Sequence, residues 1–377
     1  MFSMENNRSS DDQKIYVTRP FLPPLEEFMP FLRQIWDSKS LTNFGPFHRQ
    51  LEERLCEYLG VEYISLLNNG TNALIVALKA LDVSGEVITT PYSFAATTHA
   101  LAWCNIKPVF VDIDPCTLNL DPSKLEEVIT PQTSAILPVH CYGNPCDVDS
   151  IQAIADAFNL KVIYDAAHAF GVKCHCGSLL NHGDLSVLSF HATKVFNTFE
   201  GGAIISRDSK TKERIDLLTN FGFDHEDNVV ASGTNAKLNE FQAALGLLQL
   251  DYIDQVLSRR AEIDARYREA IHEIAGLTCI SKRHQEVANY SYFPILVEDD
   301  YPLSRNDLCL RLKNDGIIAR KYFFPLISQY PVYRDLPSAS DSRLTVSAEA
   351  ASRVLCLPIY PELTSSDQAR VIRLLCY

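Results

Sequence analysis

The sequence predicts an α/β protein with a large, doubly wound, mostly parallel sheet domain and a smaller C-terminal α/β domain. Short β-rich runs alternate with helix-like runs from about residue 60, which is the pattern of repeated β-α-β units. These β-rich runs are continuously apolar, as expected of parallel strands that are covered on both faces. The length of 377 residues also suits one large domain and one smaller domain.

The elements of the large domain, which we assign to residues 16–277, follow one another along the chain. Strands are expected at 62–67, 86–90, 108–112, 133–139, 160–165, 185–189 and 202–206. Helices are expected at 72–81, 95–104, 148–158, 209–219 and 239–275. Ligands bind at the carboxyl ends of the strands in such a sheet, so the connections there are the first places to search for a site.

The two ends of the chain depart from this pattern. Residues 1–15 are mainly polar and are expected to form a disordered tail. Residues 278–377 predict the smaller domain, with strands at 292–297 and 316–321 and helices at 302–314 and from 365 onwards.

Charge and composition argue against several kinds of partner. The formal net charge of −13 makes nucleic acid or an anionic membrane an unsuitable main partner. No segment reaches the roughly 18 apolar residues that a membrane helix requires. The 11 cysteines are scattered and do not have the spacing of a small disulfide-bonded domain, so we expect a protein of the reduced cytoplasm.

Cys174-His175-Cys176 has the residue types of a metal-site fragment. It lacks a second Cys/His pair at a convincing spacing. We therefore expect a loop with incidental ligands and no bound metal.

The first patch with the chemistry of a ligand site is Asn68-Asn69-Gly70-Thr71, between a predicted strand and a predicted helix. Gly70 lets the backbone approach a ligand, the N–H groups of the next turn form an anion site, and Thr71 adds a hydroxyl. The alternative is an ordinary turn in which Thr71 is the helix N-cap. The chain has no GxGxxG and no GxxxxGK(S/T), so the standard dinucleotide and nucleoside triphosphate loops are absent.

The second and third patches supply an acid and an amine. Asp165 ends the strand at 160–165, and a carboxylate buried there requires a cation or several donors, unless it is only a helix N-cap. Lys194, in the polar segment SFHATK, can form a Schiff base if its neighbours lower its pKa from about 10.4; the alternative is a surface lysine. An anion site, a buried acid and an amine together fit a phosphorylated pyridine aldehyde.

Eight motifs stand in order within residues 16–377. They are LTNFGP (41–46), NNGTNAL (68–74), PYSFAATTHA (91–100), FVDID (110–114), PVHCYGNPCD (138–147), YDAAHAFG (164–171), SFHATKVFNTFEGGA (189–203) and GTNAKLNEFQAALGLLQL (233–250). Through these motifs the chain resembles the DegT/DnrJ/EryC1/StrS sugar aminotransferases. The resemblance implies the aspartate-aminotransferase fold, which is fold type I of the pyridoxal-phosphate enzymes.

The resemblance also implies pyridoxal 5'-phosphate as the cofactor and gives roles to the three patches. Lys194 is expected to hold the cofactor as a Schiff base and to move protons, and Asp165 is expected to pair with the ring nitrogen. The other expected cofactor contacts are Phe94 on the ring, His168 near the ring hydroxyl, and Gly70, Thr71 and Ser189 at the phosphate. Asn235 is expected to reach the phosphate in the other subunit, which implies a homodimer with shared active sites.

The substrate that the resemblance implies is a nucleotide-linked keto-sugar. Segments 17–24, 41–46, 233–237 and 320–326 are most similar to transaminases that make dTDP-4-amino-4,6-dideoxy-D-glucose. We therefore expect dTDP-4-keto-6-deoxy-D-glucose as the acceptor and L-glutamate as the amino donor. The expected substrate contacts are Thr42, Asn43, Lys237, Arg320, Lys321 and Tyr322.

One position departs from the family pattern. Many members have an arginine where this chain has Lys237, and a lysine gives a point charge rather than a bidentate fork. The contact to the carboxylate of the amino donor is therefore expected to differ. The stretch at 320–326 also has an alternative, as an ordinary strand of the small domain.

Three alternative functions stay open at this stage. A sugar dehydratase of the same fold would carry histidine in place of Lys194. A transaminase that acts at C3 of the sugar or on a UDP-sugar would share every motif, because the ring position depends on pocket shape. A non-catalytic binding or regulatory protein on this fold would lack the absorbance of a bound cofactor.

Overall fold

A computed structural model describes residues 14–281 and 285–376. Most of the predicted tail, residues 1–13, lies outside the described residues. Ile15, which the prediction also placed in the tail, pairs with Ile317 in a two-stranded parallel sheet and is only 3% exposed. The ordered chain therefore begins before the predicted end of the tail, because the side chain of Ile15 fills part of a hydrophobic core.

Ten α-helices and sixteen strands occur within these described ranges. The helices are α1 (Leu25–Ser38), α2 (Pro46–Leu59), α3 (Gly70–Ala80), α4 (Ala95–Trp103), α5 (Val148–Phe158), α6 (Ser209–Thr219), α7 (Glu240–His272), α8 (Arg305–Asn314), α9 (Thr345–Arg353) and α10 (Ser365–Leu375). The strands are β1 (Ile15–Tyr16), β2 (Tyr63–Leu67), β3 (Glu86–Thr89), β4 (Lys107–Phe110), β5 (Thr133–Leu137), β6 (Lys161–Asp165), β7 (Lys173–Cys174), β8 (Gly177–Ser178), β9 (Leu185–Ser189), β10 (Gly202–Ser206), β11 (Phe223–His225), β12 (Asn228–Val229), β13 (Leu277–Cys279), β14 (Phe293–Val297), β15 (Ile317–Ile318) and β16 (Val354–Leu357). Among the described helices, none has the length and apolar character that a membrane span requires.

Seven strands form the central sheet in the order β2-β10-β9-β6-β5-β3-β4. Strand β10 is antiparallel to β2 and β9, and the other neighbouring strands are parallel. The predicted mostly parallel sheet is therefore confirmed. Because β2, β6 and β9 run in the same direction, the segments that follow them lie at the same edge of the sheet.

Helices cover both faces of this sheet because neighbouring strand residues point to opposite sides. On β6, the side chain of Val162 belongs to a buried cluster with α1, α2, α5 and α7. The next residue, Ile163, belongs to a second buried cluster with α3, α4 and α6. The sheet is thus doubly wound. Because helices cover both of its faces, ligands bind at the carboxyl ends of its strands.

The long helix α7 also caps α2. The buried carboxylate of Glu240 accepts hydrogen bonds of 2.9 Å from the backbone N–H groups of Phe47 and His48. These donors belong to the first turn of α2, where a helix has no internal acceptors and favours a negative charge. The N–H of Glu240 itself donates to the carbonyl of Leu41 at 3.0 Å. The segment 41–46 is therefore fixed to the start of α7.

A further hydrophobic core lies towards the C-terminal end of the chain. Strands β13, β14 and β16 form an antiparallel sheet there, and β1 and β15 pair beside it. The last turns of α7 supply Ile263, Tyr267 and Ile271 to this core. Helix α7 therefore contributes to two cores, and the domain boundary near residue 277 stays a prediction.

Candidate active site

The predicted patches meet in one cavity of about 690 Å³ at the carboxyl ends of β2, β6 and β9. Among the predicted residues, those that line it are Gly70, Thr71, Phe94, Asp165, His168, Ser189, Lys194 and Tyr322. Seven of these eight are the predicted cofactor contacts, and they come from four separate connections of the central sheet. The geometry at each of them decides what the cavity can bind.

Asp165 is the last residue of β6, and it is only 5% exposed. Its Oδ2 accepts a hydrogen bond of 2.7 Å from the hydroxyl of Thr97, and its Oδ1 accepts one of 3.1 Å from the N–H of Ala167. Burial raises the pKa of Asp165, and these donors and the charge of Lys194 oppose that rise. Residues 166–172 form turns rather than a helix, so Asp165 is not a helix N-cap.

Lys194 lies on the connection between β9 and β10 and is partly buried. Its Nζ is 6.0 Å from the centroid of the Tyr292 ring. Burial lowers the pKa of Lys194 to about 8, and the nearby charge of Asp165 opposes this shift. More of the amine is therefore neutral and nucleophilic near neutral pH than in an ordinary surface lysine.

His168 is a buried histidine in its neutral form. Its Nδ1 accepts a hydrogen bond of 3.2 Å from the backbone N–H of Tyr142, which leaves the ring proton on Nε2. Burial and the charge of Lys194 both lower the pKa of His168. The imidazole also stacks parallel to the ring of Phe323, with 6.0 Å between ring centroids. It is therefore a fixed hydrogen-bond donor at the cavity wall.

The predicted anion site lies where α3 begins. The N-cap of α3 is Asn69, whose Oδ1 accepts a hydrogen bond of 2.8 Å from the N–H of Asn72. Thr71 therefore stands in the first turn and is not the N-cap, contrary to the alternative interpretation. A Cβ atom at Gly70 would lie 2.9 Å from the Cβ of Ser189, so only glycine allows this approach without a shift. The hydroxyls of Thr71 and Ser189 thus flank the positive end of a helix, which favours an anion.

Two aromatic residues of the predicted set lie on different sides of the cavity. Phe94 precedes α4 and is 61% exposed, so its ring is available to a ligand. Tyr322 comes from the C-terminal region, and its carbonyl accepts hydrogen bonds from the hydroxyls of Tyr92 and Tyr142. The C-terminal region therefore closes one wall of a site that the large sheet begins.

Within the described residues, six predicted contacts do not line this cavity. Thr42 and Asn43 are exposed just before α2. Arg320 is exposed, and Lys321 donates a hydrogen bond of 2.6 Å from its Nζ to Asn306. Their predicted contacts with the substrate stay predictions.

The last two of these six belong to one segment. Asn235 is exposed and does not line the cavity of its own chain. The Nζ of Lys237 donates a hydrogen bond of 2.8 Å to Asn220 and lies 5.1 Å from the centroid of the Phe221 ring. The structure therefore gives Lys237 partners within its own chain, and a contact of either residue with a ligand stays a prediction.

The sequence analysis missed Tyr292 and Phe323, which line the cavity, and Thr97, which donates to Asp165 from behind the cavity wall. Thr97 lies three residues after Phe94, about one helical turn, so the predicted helix at 95–104 already contained the signal that could have found it. Tyr292 and Phe323 carry no such signal, because only the packing of the C-terminal region brings them to the cavity.

A family model described as the DegT/DnrJ/EryC1/StrS aminotransferase family matches residues 25–376. The chain belongs to this family. The aminotransferase is 57% identical over 354 residues to a dTDP-4-amino-4,6-dideoxy-D-glucose transaminase of Shigella dysenteriae, which covers 94% of this chain and 96% of that protein.

Two solved structures are also similar to this aminotransferase. The crystal structure of DesI in the presence of its TDP-sugar product has a TM-score of 0.92 and 38% identity, and the match covers 97% of this chain and 92% of that one. NtdA from Bacillus subtilis, with bound cofactor PMP, has a TM-score of 0.86 and 30% identity over 98% of this chain and 86% of that one.

These comparisons confirm the predicted family, fold and enzyme class of the chain. They also agree with the predicted cofactor and with the predicted class of sugar substrate. The confirmed enzyme class disagrees with the alternative of a non-catalytic protein, although one relative, 30% identical over 92% of this chain and 94% of its own length, is named a pleiotropic regulatory protein of Geobacillus stearothermophilus.

Proposed function

We propose that this aminotransferase transfers the amino group of L-glutamate to dTDP-4-keto-6-deoxy-D-glucose and releases dTDP-4-amino-4,6-dideoxy-D-glucose. The observation that carries the sugar assignment is the 57% identity to the Shigella dysenteriae transaminase, which extends over 94% of the chain. The enzyme uses pyridoxal 5'-phosphate, which supplies an aldehyde for the amino group and a ring that stabilises negative charge at the reacting carbon.

The cavity fits this cofactor at three points. The start of α3, with the hydroxyls of Thr71 and Ser189, suits a phosphate. Among the described residues, two donors and one nearby cation serve the buried carboxylate of Asp165, so it suits a protonated ring nitrogen. Lys194 is an amine of lowered pKa in the same cavity and suits an aldehyde.

Lys194 does two things in this proposal. Its Nζ holds the cofactor between turnovers, because a partly neutral amine attacks an aldehyde readily. When the amino donor takes its place on the cofactor, the free Nζ would take a proton from the carbon that carries the amino group and return it to the carbon on the other side of that nitrogen. A pKa of about 8 lies close to the working pH, which suits a group that must both accept and donate.

Asp165 and Thr97 act together on the ring nitrogen of the cofactor. The carboxylate keeps the ring nitrogen charged, and the 2.7 Å hydrogen bond from Thr97 fixes the carboxylate that does so. His168 is held by Tyr142, and its Nε2–H would be the donor to the ring hydroxyl of the cofactor. The exposed ring of Phe94, beside α4, would stack on the cofactor ring.

The sugar nucleotide lies towards the open side of the cavity. Tyr322 contacts the sugar nucleotide from the cavity wall. Arg320 and Lys321 directly precede Tyr322 in the sequence, and these two cations bind the diphosphate. Thr42 and Asn43 are exposed on the segment that Glu240 fixes to α7. These two residues contact the sugar in the assembled enzyme.

The working unit in this proposal is a homodimer in the cytoplasm. Asn235 is exposed and lines no part of the cavity of its own chain, which supports a role for it in the site of the partner. Lys237 stands two residues later on the same segment and binds the carboxylate of glutamate as a point charge.

The test is a product analysis with a panel of acceptors. The purified enzyme is incubated with L-glutamate and with dTDP- and UDP-linked keto-sugars whose keto group is at C3 or C4. NMR of the products identifies the ring position and the configuration. Amination of dTDP-4-keto-6-deoxy-D-glucose to the gluco product supports the proposal. Preference for a C3-keto or UDP-linked acceptor would overturn the sugar assignment but not the enzyme class.

A further inference from the structure

A cluster of metal-ligating side chains lies on the connection between β6 and β9. The Sγ atoms of Cys174 and Cys176 are 3.5 Å apart. The Nε2 atom of His182 lies 3.3 Å from the first sulfur and 3.2 Å from the second. The side-chain ligand atom of His175 lies within 4.8 Å of both sulfurs. Two thiols and two imidazoles are thus gathered in one place, and none of them lines the active-site cavity.

The distances in this cluster match those of a tetrahedral zinc site. Zinc binds thiolate sulfur at about 2.3 Å and imidazole nitrogen at about 2.0–2.1 Å, so neighbouring ligand atoms on a tetrahedron stand roughly 3.3–3.8 Å apart. The three contacts among Cys174, Cys176 and His182 are 3.2, 3.3 and 3.5 Å long. A small divalent ion slightly out of the plane of these three atoms would therefore be at a bonding distance from each of them, with room for a fourth ligand on the other side.

The local backbone explains how residues so close in sequence reach this arrangement. Strands β7 and β8 form a hairpin in which Cys174 pairs with Gly177. Gly177 has a φ of +102°, a conformation that favours glycine, and the chain reverses within two residues. The short helical turn Leu179–Asn181 then brings His182 back to the hairpin. The spacing Cys-x-Cys-x5-His is thus made compact by the fold.

We propose that Cys174, Cys176 and His182 bind a zinc ion, and that the exposed side chain of His175, which lies within 4.8 Å of both sulfurs, rotates towards the ion to complete the tetrahedron. Two thiols lose their protons when the ion binds, and the two thiolates balance its charge of +2. Thiolate and imidazole ligands select zinc over magnesium or calcium, which prefer oxygen. This assignment revises the sequence-based expectation of incidental ligands, which rested on the absence of a second pair and overlooked His182.

The site has a structural role because of where the hairpin lies. Lys173 pairs with Val287, so the hairpin joins the large sheet to the segment that leads into β14. The same connection begins after Asp165 and His168 and ends at β9, which carries Ser189. An ion there holds the connection in one conformation. The ion does not contact the cofactor, so its loss lowers the stability of the protein before it affects the chemistry.

Metal content is the first measurement. The full-length enzyme is purified, supplied with zinc, freed of excess metal and analysed by elemental mass spectrometry. We expect about one zinc per chain in the unmodified protein and near none in Cys176→Ser or His182→Gln. The matched control is Cys116→Ser, which removes another exposed cysteine and leaves the metal content unchanged. Equal loss of zinc in this control, or no zinc in the unmodified protein, would overturn the proposal.

Cobalt and thermal unfolding give independent measurements. Cobalt added to the metal-free protein should produce the intense visible bands of a tetrahedral thiolate site, and Cys176→Ser should abolish them. A chelator should lower the unfolding temperature of the unmodified protein but not that of the variant. The competing explanation is a disulfide between Cys174 and Cys176, which mass spectrometry detects as the loss of two hydrogens. If this disulfide forms in protein that was prepared and kept under reducing conditions, the zinc site is contradicted.

Discussion

The hydroxyl of Thr97 donates a 2.7 Å hydrogen bond to the carboxylate of Asp165, across 68 residues of sequence. The same hydroxyl is 2.7 Å from the hydroxyl of Ser93, and both residues flank the start of α4. Thr97 therefore links the acid at the end of β6 to the connection that carries Phe94. Two walls of the active site are joined through one side chain.

Replacement of Thr97 by valine should slow turnover about ten- to a hundredfold, since a hydrogen bond to a charged group contributes roughly 1.5–3 kcal/mol. The pKa of Asp165 should rise further, because one of its two donors is lost. Steady-state kinetics with saturating glutamate measure the effect. The control is Thr98→Val: the hydroxyl of Thr98 is buried and has no hydrogen-bond partner among the described residues. Equal kinetic losses in both variants would show that Thr97 acts only through packing.

Capture of the cofactor by the cofactor-free protein should become faster as the pH rises through about 8. Lys194 is protonated below that pKa, and only its neutral amine above it attacks the aldehyde. The rate is followed by the yellow absorbance after pyridoxal phosphate is added. Borohydride reduction and peptide mapping should then place the adduct on Lys194. Lys194→Ala should lose it and Lys210→Ala, at an exposed position on α6, should keep it; an adduct on another lysine contradicts the assignment.

Asp165→Asn should bind the cofactor but lose about a hundredfold or more in turnover, because a neutral amide does not keep the ring nitrogen protonated. The loss in rate should appear in both half-reactions, when the reaction with glutamate and the reaction with the keto-sugar are each measured alone. The comparison is Asp112→Asn. Asp112 is another buried acid, but it accepts hydrogen bonds from the N–H groups of Val346 and Ser347 at the start of α9. That variant should unfold at a lower temperature with nearly unchanged turnover.

The shared active site is testable by subunit mixing. If Asn235 serves the partner's site, a Lys194→Ala chain and an Asn235→Asp chain form a heterodimer with one intact site, because both lesions fall in the other site. The aspartate places a negative charge beside the cofactor phosphate, so the Asn235→Asp parent should bind the cofactor weakly. The mixture should be more active than the sum of its parents after the subunits exchange. Proven heterodimers without added activity would show that Asn235 serves its own chain or none.

Local sequence was sufficient for elements whose ends are marked by nearby residues. The predicted bounds 148–158 and 209–219 coincide with α5 and α6. The reason is that Asp147 and Asp208, which directly precede these helices, cap their first turns. The strands at 185–189 and 202–206 were equally well predicted. The antiparallel direction of β10 was not predicted, because an apolar run that is buried on both faces looks the same in either direction.

Other features depend on partners that are far away in the sequence. Helix α2 was not predicted, and its first turn is capped by Glu240, which is 193 residues beyond Phe47. Thr97 was missed as the donor to Asp165 for the same reason. The pairing of cysteines with His182 is nearer in sequence, but it requires the hairpin turn and the helical turn to form together. Motifs therefore located the acid, the amine and the anion site, and packing decided which other side chains serve them.

Helix α7 has 33 residues, which corresponds to a rod about 50 Å long. Its first turn holds the segment of Thr42 and Asn43 through Glu240, and its last turns are buried in the C-terminal core. A stiff rod that is clamped at both ends transmits a tilt from one clamp to the other. A substitution that repacks Tyr267 should therefore displace the segment of Thr42 and Asn43 at the opposite end of the helix, without any contact between the two.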